Sequence, residues 1–140
     1  MTVSADGLSD EEVRSILSLK RVVVVGMSKD PAKPAHYVPK YLHEKGYEIV
    51  PVNPTADEIL GLRSHKALSE VKGPVDVVEV FRPAEEVPGV VREALQLKPR
   101  AIWLQSGAYH PEAVELARRN GVKVVWDRCM MREHRRLFGS

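Results

Sequence analysis

Glycine, hydroxyl, amide and basic residues gather in four short segments of this 140-residue chain. In the first segment, Gly26 lets the backbone approach a ligand closely, Ser28 supplies a hydroxyl group, and Lys29 and Lys33 supply positive charge. The other three segments are Asn53-Pro54, Phe81-Arg82-Pro83 and Ser106-Gly107. Because proline stiffens a loop and cationic side chains bind phosphate, this set of residues is suited to holding an anionic nucleotide.

Each of these segments follows a stretch that is predicted to be a buried β-strand. The run from Arg21 to Val25 is β-branched and apolar without alternation, which is typical of a parallel strand covered on both faces. Further strands are predicted over residues 47–52, 75–81, 101–104 and 122–126, and helices over residues 87–97, 111–120 and 127–137. The alternation predicts an α/β fold, a Rossmann-like doubly wound parallel sheet of five to six strands with helices on both faces.

Two helices near the N-terminus have clear boundary signals. Ser9 and Glu12 form a capping box, so the first helix is predicted to begin at Asp10. The second helix is predicted to end at Gly46 and to hold Pro39 in its first turn. Residues 53–73 are the least regular part of the chain, with a helical turn predicted near Asp57 and a short edge strand near Ser64.

In an open α/β sheet, ligands bind beyond the carboxyl ends of the strands, which is where all four segments fall. The sequence contains no complete nucleotide-binding motif that would identify the nucleotide. Ser28 and Pro31 replace the second and third glycines of G-x-G-x-x-G, and Asn53 stands where an acidic residue is expected, which disfavours NAD. The chain also has no G-x-x-x-x-G-K-[ST] motif, which disfavours ATP hydrolysis.

The composition predicts one globular domain over residues 1–140, with residues 1–8 as a flexible N-terminus. Lysine and arginine number 21 against 19 acidic residues, and a net charge of +2 is too small to imply nucleic acid. The basic run at residues 128–136 has no interleaved aromatic residues, so nucleic-acid binding is a minor hypothesis. A protein partner or a homo-oligomer is left open.

A cytoplasmic protein without a membrane segment or a metal site is expected. The single cysteine, Cys129, cannot form an internal disulfide, and the N-terminus lacks the pattern of a secretory signal. The longest apolar run, at residues 22–27, is far shorter than the roughly 20 residues that a membrane-spanning helix needs. The five histidines are scattered along the chain, which disfavours metal binding.

The four segments and their flanks resemble a known family. Val-Gly-Met-Ser-Lys-Asp-Pro at 25–31, Val-Asn-Pro at 52–54, Val-Phe-Arg-Pro at 80–83 and Trp-Leu-Gln-Ser-Gly at 103–107 are similar to the CoA-binding domain of the succinyl-CoA synthetase alpha subunit. With Asp-Arg-Cys at 127–129, the chain resembles more closely the small standalone bacterial CoA-binding proteins. The resemblance covers about residues 15–131.

This resemblance implies a Rossmann-like domain that holds the ADP part of coenzyme A across the crevice. It implies contacts with the phosphates from Gly26, Met27, Ser28 and Lys33, with the nucleotide from Val52, Asn53, Pro54, Phe81, Arg82 and Pro83, and with the pantetheine arm near its exit from Ser106 and Gly107. The synthetase subunit continues into a second domain with a phosphorylated histidine that this sequence does not contain. Ligase activity is therefore not expected.

We accordingly predict a protein that binds CoA or an acyl-CoA. Two alternatives stay open, a small enzyme that uses NAD(P) or acyl-CoA and a regulatory or scaffolding protein with a vestigial nucleotide site. Glu79 lies in an apolar run and is expected to pair with Arg82, Arg128 or a backbone donor, or to orient Arg82 toward a phosphate. Cys129 is interpreted as a small buried residue, or as a thiolate able to exchange disulfides with a CoA thiol.

Overall fold

The computed structural model describes residues 5–139. Its strands, in chain order, are β1 (Arg21–Val25), β2 (Glu48–Val52), β3 (Glu58–Ile59), β4 (Leu62–Arg63), β5 (Val77–Val80), β6 (Ala101–Leu104) and β7 (Lys123–Trp126). Its α-helices are α1 (Asp10–Leu17), α2 (Pro34–Glu44), α3 (Val87–Leu95), α4 (Pro111–Arg119) and α5 (Met130–Phe138). None of the helices in this part of the chain is long and apolar enough to cross a membrane.

Five of the strands form one parallel sheet in the order β2-β1-β5-β6-β7, which confirms the predicted Rossmann-like fold. From β1 the chain moves outward to β2, and it then crosses back to place β5 on the other side of β1. The order of the strands therefore reverses between β1 and β5. A crevice opens at the carboxyl ends of two strands that are related in this way.

Helices cover both faces of the sheet, so each strand contributes to two cores. Along β1, Val23 and Val25 pack in the core beneath α3 and α4, whereas Val22 and Val24 pack in the core beneath α1, α2 and α5. These four valines are buried. The unbroken apolar run in the sequence follows from this arrangement, because a strand with two covered faces has no side for polar residues.

A buried ion pair ties the N-terminal segment to the region before α5. The Arg128 guanidinium contacts both carboxylate oxygens of Asp6, at 2.7 and 2.9 Å, and its Nη1 lies 2.7 Å from Oε1 of Glu133. Asp6 belongs to the segment 1–8 that was predicted to be flexible, of which residues 1–4 lie outside the described residues. Arg128, the first residue of the basic run 128–136, is therefore a buried cation in a structural ion pair.

Two details of the local structure differ from the predictions. Pro39 lies inside α2 and not in its first turn, because the helix begins at Pro34. The predicted helical turn near Asp57 is wrong, since β3 and β4 form a two-stranded antiparallel hairpin there. Beyond the hairpin, His65 forms a single parallel bridge with Val52, which extends the edge of the sheet by one residue pair instead of a sixth strand.

Candidate functional site

Gly26 directly follows β1 and lies against the end of β5, and its surroundings leave no room for a side chain. Its φ is +83°, and an added Cβ would lie 2.4 Å from the carbonyl oxygen of Phe81. The backbone is fixed on both sides, because the Gly26 amide donates to Val52 at 3.0 Å and the Phe81 amide donates to Val25 at 2.9 Å. The two strand ends therefore approach each other as closely as their backbones allow, and only glycine fits between them.

The loop between β1 and α2 is held by the helix that follows it. Pro39 has no amide hydrogen, so the carbonyl group of Ala35 is free of its helical bond and accepts from the Ser28 amide instead, at 3.0 Å. Nδ1 of His36 donates to the Ser28 carbonyl group at 2.8 Å, and the Ser28 hydroxyl accepts from the Asp30 amide at 3.0 Å. Ser28 thus shapes the loop through bonds within the protein.

The N-terminus of α2 faces the crevice. Lys33 is the N-cap residue and makes no side-chain capping bond, and Pro34 is the first residue of the helix. The Ala35 amide forms no hydrogen bond with any described residue. Unpaired amides and the positive end of the helix dipole make such a terminus suitable for an anion, and the Lys33 side chain adds a full charge beside it.

Three adjoining clefts run across the carboxyl ends of the strands. The first cleft, of about 240 Å³, is lined by residues that include Gly26, Val52, Pro54, Lys66, Arg82 and Glu86. The middle cleft, of about 380 Å³, includes Lys33, Pro34, Phe81, Arg82, Pro83, Gln105, Ser106 and Gly107. The third cleft, of about 310 Å³, includes Pro34, Tyr37, Val38, Phe81, Gln105, Ser106, Cys129, Met131 and Arg132.

The three clefts are neighbours, because each shares lining residues with the next. Arg82 lines both the first and the middle cleft. Pro34, Phe81, Gln105 and Ser106 line both the middle and the third cleft. The first cleft is smaller than the usual pocket for a small ligand, which measures about 300–1,000 Å³, and the other two lie in the lower part of that range. A long ligand that crosses the switch in strand order would occupy all three.

Nine of the thirteen predicted site residues line these clefts, and four do not. Those in the clefts are Gly26, Lys33, Val52, Pro54, Phe81, Arg82, Pro83, Ser106 and Gly107. Met27, Ser28, Lys29 and Asn53 lie outside them. The Met27 side chain is fully buried in the core beneath α2, and its carbonyl group accepts from Nδ2 of Asn53 at 2.8 Å. Met27 and Asn53 thus join the ends of β1 and β2.

Two basic side chains in the first cleft have acidic partners on the protein. Arg82 contacts both carboxylate oxygens of Glu86 at 2.8 Å, and Lys66 lies 2.8 Å from Oδ1 of Asp57. The Lys66 ammonium and the proximity of Lys29 lower the pKa of Asp57 below its usual value of 3.8. Both pairs are exposed to solvent, and exposed ion pairs contribute little to stability. Either cation could therefore exchange its partner for a ligand phosphate at little cost.

Sequence reasoning missed Lys66 and Gln105 as site residues. Lys66 lies in the irregular segment 53–73, and it reaches the first cleft because His65 pairs with the end of β2. No local pattern in the sequence could have revealed this. Gln105 directly precedes the predicted Ser106 at the end of β6, so its position alone was a usable signal. Its Oε1 accepts from the Met130 amide at 2.9 Å.

The expected partner of Glu79 is absent. Glu79 is fully buried on β5 between Val24 and Trp103, and neither of its carboxylate oxygens has a hydrogen-bond partner in the described part of the chain. Arg82 and Arg128 are both engaged elsewhere, with Glu86 and with Asp6. The alternation along β5 turns Glu79 into the core beneath α1, α2 and α5, and desolvation there raises its pKa to about 8.

Cys129 and His110 have defined surroundings. Cys129 is partly buried, precedes α5 as its N-cap residue and lines the third cleft. His110 caps α4 by accepting from the Glu112 amide at 3.2 Å. Within residues 5–139, no group of three or more histidine, cysteine or acidic side chains is arranged to hold a metal ion.

A protein family, a bacterial protein and a solved structure are similar to this chain over most of its length. A family model described as a CoA binding domain matches residues 20–135. The Bacillus subtilis (strain 168) protein YneT is 41% identical over 127 residues, which cover 90% of this chain and 94% of that protein. A solved structure from Thermus thermophilus is 46% identical and superposes with a TM-score of 0.90, covering 94% of this chain and 100% of that one.

Part of a larger enzyme is also similar. The ADP-forming acetate–CoA ligase II of Archaeoglobus fulgidus is 29% identical over 125 residues, which cover 81% of this chain. This chain spans only 19% of the length of that ligase. The matching region of the ligase is therefore about one domain in size.

Proposed function

The chain belongs to the family of CoA-binding domains, and from this premise we propose that it binds coenzyme A or an acyl-CoA with the ADP-pyrophosphate part lying at the carboxyl ends of the strands. The observation that carries the proposal is the row of three adjoining clefts across the switch between β1 and β5. Ligands of open α/β sheets bind at such a switch point.

The chemistry of each cleft fits one part of the ligand. The first cleft combines the apolar walls of Val52 and Pro54 with the Lys66 ammonium, which suits an adenosine that carries a 3′-phosphate. The middle cleft has Lys33 and the N-terminus of α2, which suit the pyrophosphate. The third cleft combines apolar walls such as Val38 and Met131 with hydrogen-bonding groups such as Gln105 and Ser106, which suits the pantetheine arm with its amides.

The proposal is restricted to binding. The ligase reaction named for the Archaeoglobus fulgidus relative belongs to a chain of which this one spans 19%, so that reaction is not carried over. Among the described residues, the third cleft holds one nucleophilic thiol, Cys129, but no histidine lines it. A general base next to a nucleophile is the usual sign of covalent catalysis, and this cleft does not offer a histidine for that role.

Removal of the Arg82 guanidinium is expected to weaken binding of CoA about tenfold or more. Arg82 lies at the junction of the first and middle clefts, where it can leave Glu86 and contact the 3′-phosphate. Hydrogen bonds to charged groups contribute about 1.5–3 kcal/mol, which corresponds to about tenfold or more in affinity. The measurement is calorimetric titration of Arg82→Ala with CoA and with dephospho-CoA.

Dephospho-CoA should lose much less affinity than CoA in this variant. Equal losses for the two ligands would reject a contact between Arg82 and the 3′-phosphate. Lys33 would then be the candidate for this contact, and Lys33→Ala would test it. Arg63→Ala is the matched control, because Arg63 is an exposed arginine on β4 that lines none of the three clefts. It should bind both ligands like the unmodified protein.

A further inference from the structure

The Gln105 carboxamide is buried, and one half of it is left without a partner. The side chain is only 5% exposed. Its Oε1 accepts from the Met130 amide at 2.9 Å, and since that amide can only donate, the orientation of the carboxamide is fixed. The NH2 group points the other way, and no described residue accepts a hydrogen bond from it.

Gln105 lines both the middle and the third cleft, so its free NH2 group lies where these two clefts meet. The rest of Gln105 is buried, so the NH2 group opens onto these clefts, and a fixed donor without a protein partner at a cleft wall is placed to meet an acceptor on a ligand. The surrounding walls include Val38, Phe81 and Met131.

We propose that Gln105 donates a hydrogen bond to a carbonyl oxygen of the ligand arm and thereby selects ligands of the pantetheine type. The inference rests on the proposed function, because it assigns a part of the same ligand to the third cleft. Two kinds of carbonyl share the required chemistry, the amides of the pantetheine arm and the thioester of an acyl-CoA. The choice of ligands in the experiment separates them.

A purely structural role for Gln105 must be distinguished from ligand recognition. Its bond to Met130 anchors the first residue of α5, so removal of the whole side chain would also disturb that helix. Gln105→Glu retains an acceptor for the Met130 amide and removes the NH2 donor. Gln105→Met, which has similar length and no donor, serves as the second variant if the first does not fold.

The experiment is calorimetric titration of the wild-type protein and Gln105→Glu with three ligands. Adenosine 3′,5′-bisphosphate lacks the arm, CoA has only the amide carbonyl groups, and acetyl-CoA adds the thioester. We expect about a tenfold loss of affinity for CoA and acetyl-CoA and no loss for the bisphosphate. Equal losses for CoA and acetyl-CoA assign the bond to an amide, and a larger loss for acetyl-CoA assigns it to the thioester.

The pH dependence supplies a readout that a structural role would not move. At low pH the new carboxyl group of Gln105→Glu is protonated and again offers a donor, so its affinity for CoA should recover toward that of the wild-type protein. Unchanged affinity for both CoA and acetyl-CoA, or an equal loss for all three ligands, would overturn the inference. If the wild-type protein binds none of the three, the proposed function itself fails, which is a distinct result.

Discussion

Replacement of Gly26 by alanine is expected to lower the free energy of unfolding by about 2–4 kcal/mol and to weaken CoA binding at least tenfold. The added Cβ would lie 2.4 Å from the carbonyl oxygen of Phe81 and 2.9 Å from Cδ of Arg82. Arg82 can move aside, but the Phe81 backbone is held by its bond to Val25. The strand ends must therefore separate, which changes the junction between the first and middle clefts.

Gly46→Ala is the matched control for this prediction. Gly46 has a φ of +93°, comparable to that of Gly26, but nothing lies within 4 Å of its added Cβ. This variant carries the cost of the positive φ without the collision, about 1 kcal/mol, and should bind CoA normally. Chemical denaturation and calorimetry measure both effects. Equal destabilisation of the two variants would show that the close approach at Gly26 has no energetic importance.

Replacement of Glu79 by glutamine should stabilise the protein at neutral and alkaline pH, with a gain of up to about 4 kcal/mol at pH 8. Glu79 is fully buried without a hydrogen-bond partner, and its pKa is about 8 instead of the ordinary 4.5. The folded protein thus holds a proton that the unfolded chain releases. The stability that this proton contributes is fully present below about pH 4.5, and it is lost as the pH rises toward 8.

Denaturant unfolding of both proteins between about pH 4.5 and pH 9 measures this effect. The difference between the two curves should be small at the acidic end, grow with pH and level off above pH 8. Glu85→Gln, which alters an exposed glutamate before α3, is the control and should change stability by no more than about 0.5 kcal/mol at any pH. Parallel curves for wild type and Glu79→Gln would contradict the account of a buried neutral carboxyl group.

The strands and the fold class were predictable because they depend on strong local patterns. The apolar β-branched run of β1 has a single good solution, a strand buried on both faces of a parallel sheet. The capping box at Ser9 and Glu12 likewise fixed the start of α1 at Asp10. The close backbone approach at Gly26 was predictable from the position of this glycine at the end of such a strand. These features need no knowledge of distant residues.

The contacts that depend on three-dimensional packing could not be predicted in this way. The contact of Ser28 with the phosphates stays a prediction, but its hydrogen bonds within the loop were not predictable, because they depend on the carbonyl group freed by Pro39. The prediction of a partner for Glu79 was wrong, because the strand register decides which face of the sheet the Glu79 side chain occupies. Lys66 reaches the first cleft through one bridge at the sheet edge. Such details are long-range and leave no local sequence signal.

The central claim is tested most directly by calorimetric titration of the protein with CoA, acetyl-CoA, NAD and ADP at one fixed salt concentration. We expect one molecule of CoA per chain, weaker binding of ADP because it lacks the 3′-phosphate and the arm, and no binding of NAD. Binding of NAD without binding of CoA would contradict the account and favour a nicotinamide-dependent enzyme. Binding of none of the four would also contradict it and would favour a protein whose nucleotide site is vestigial.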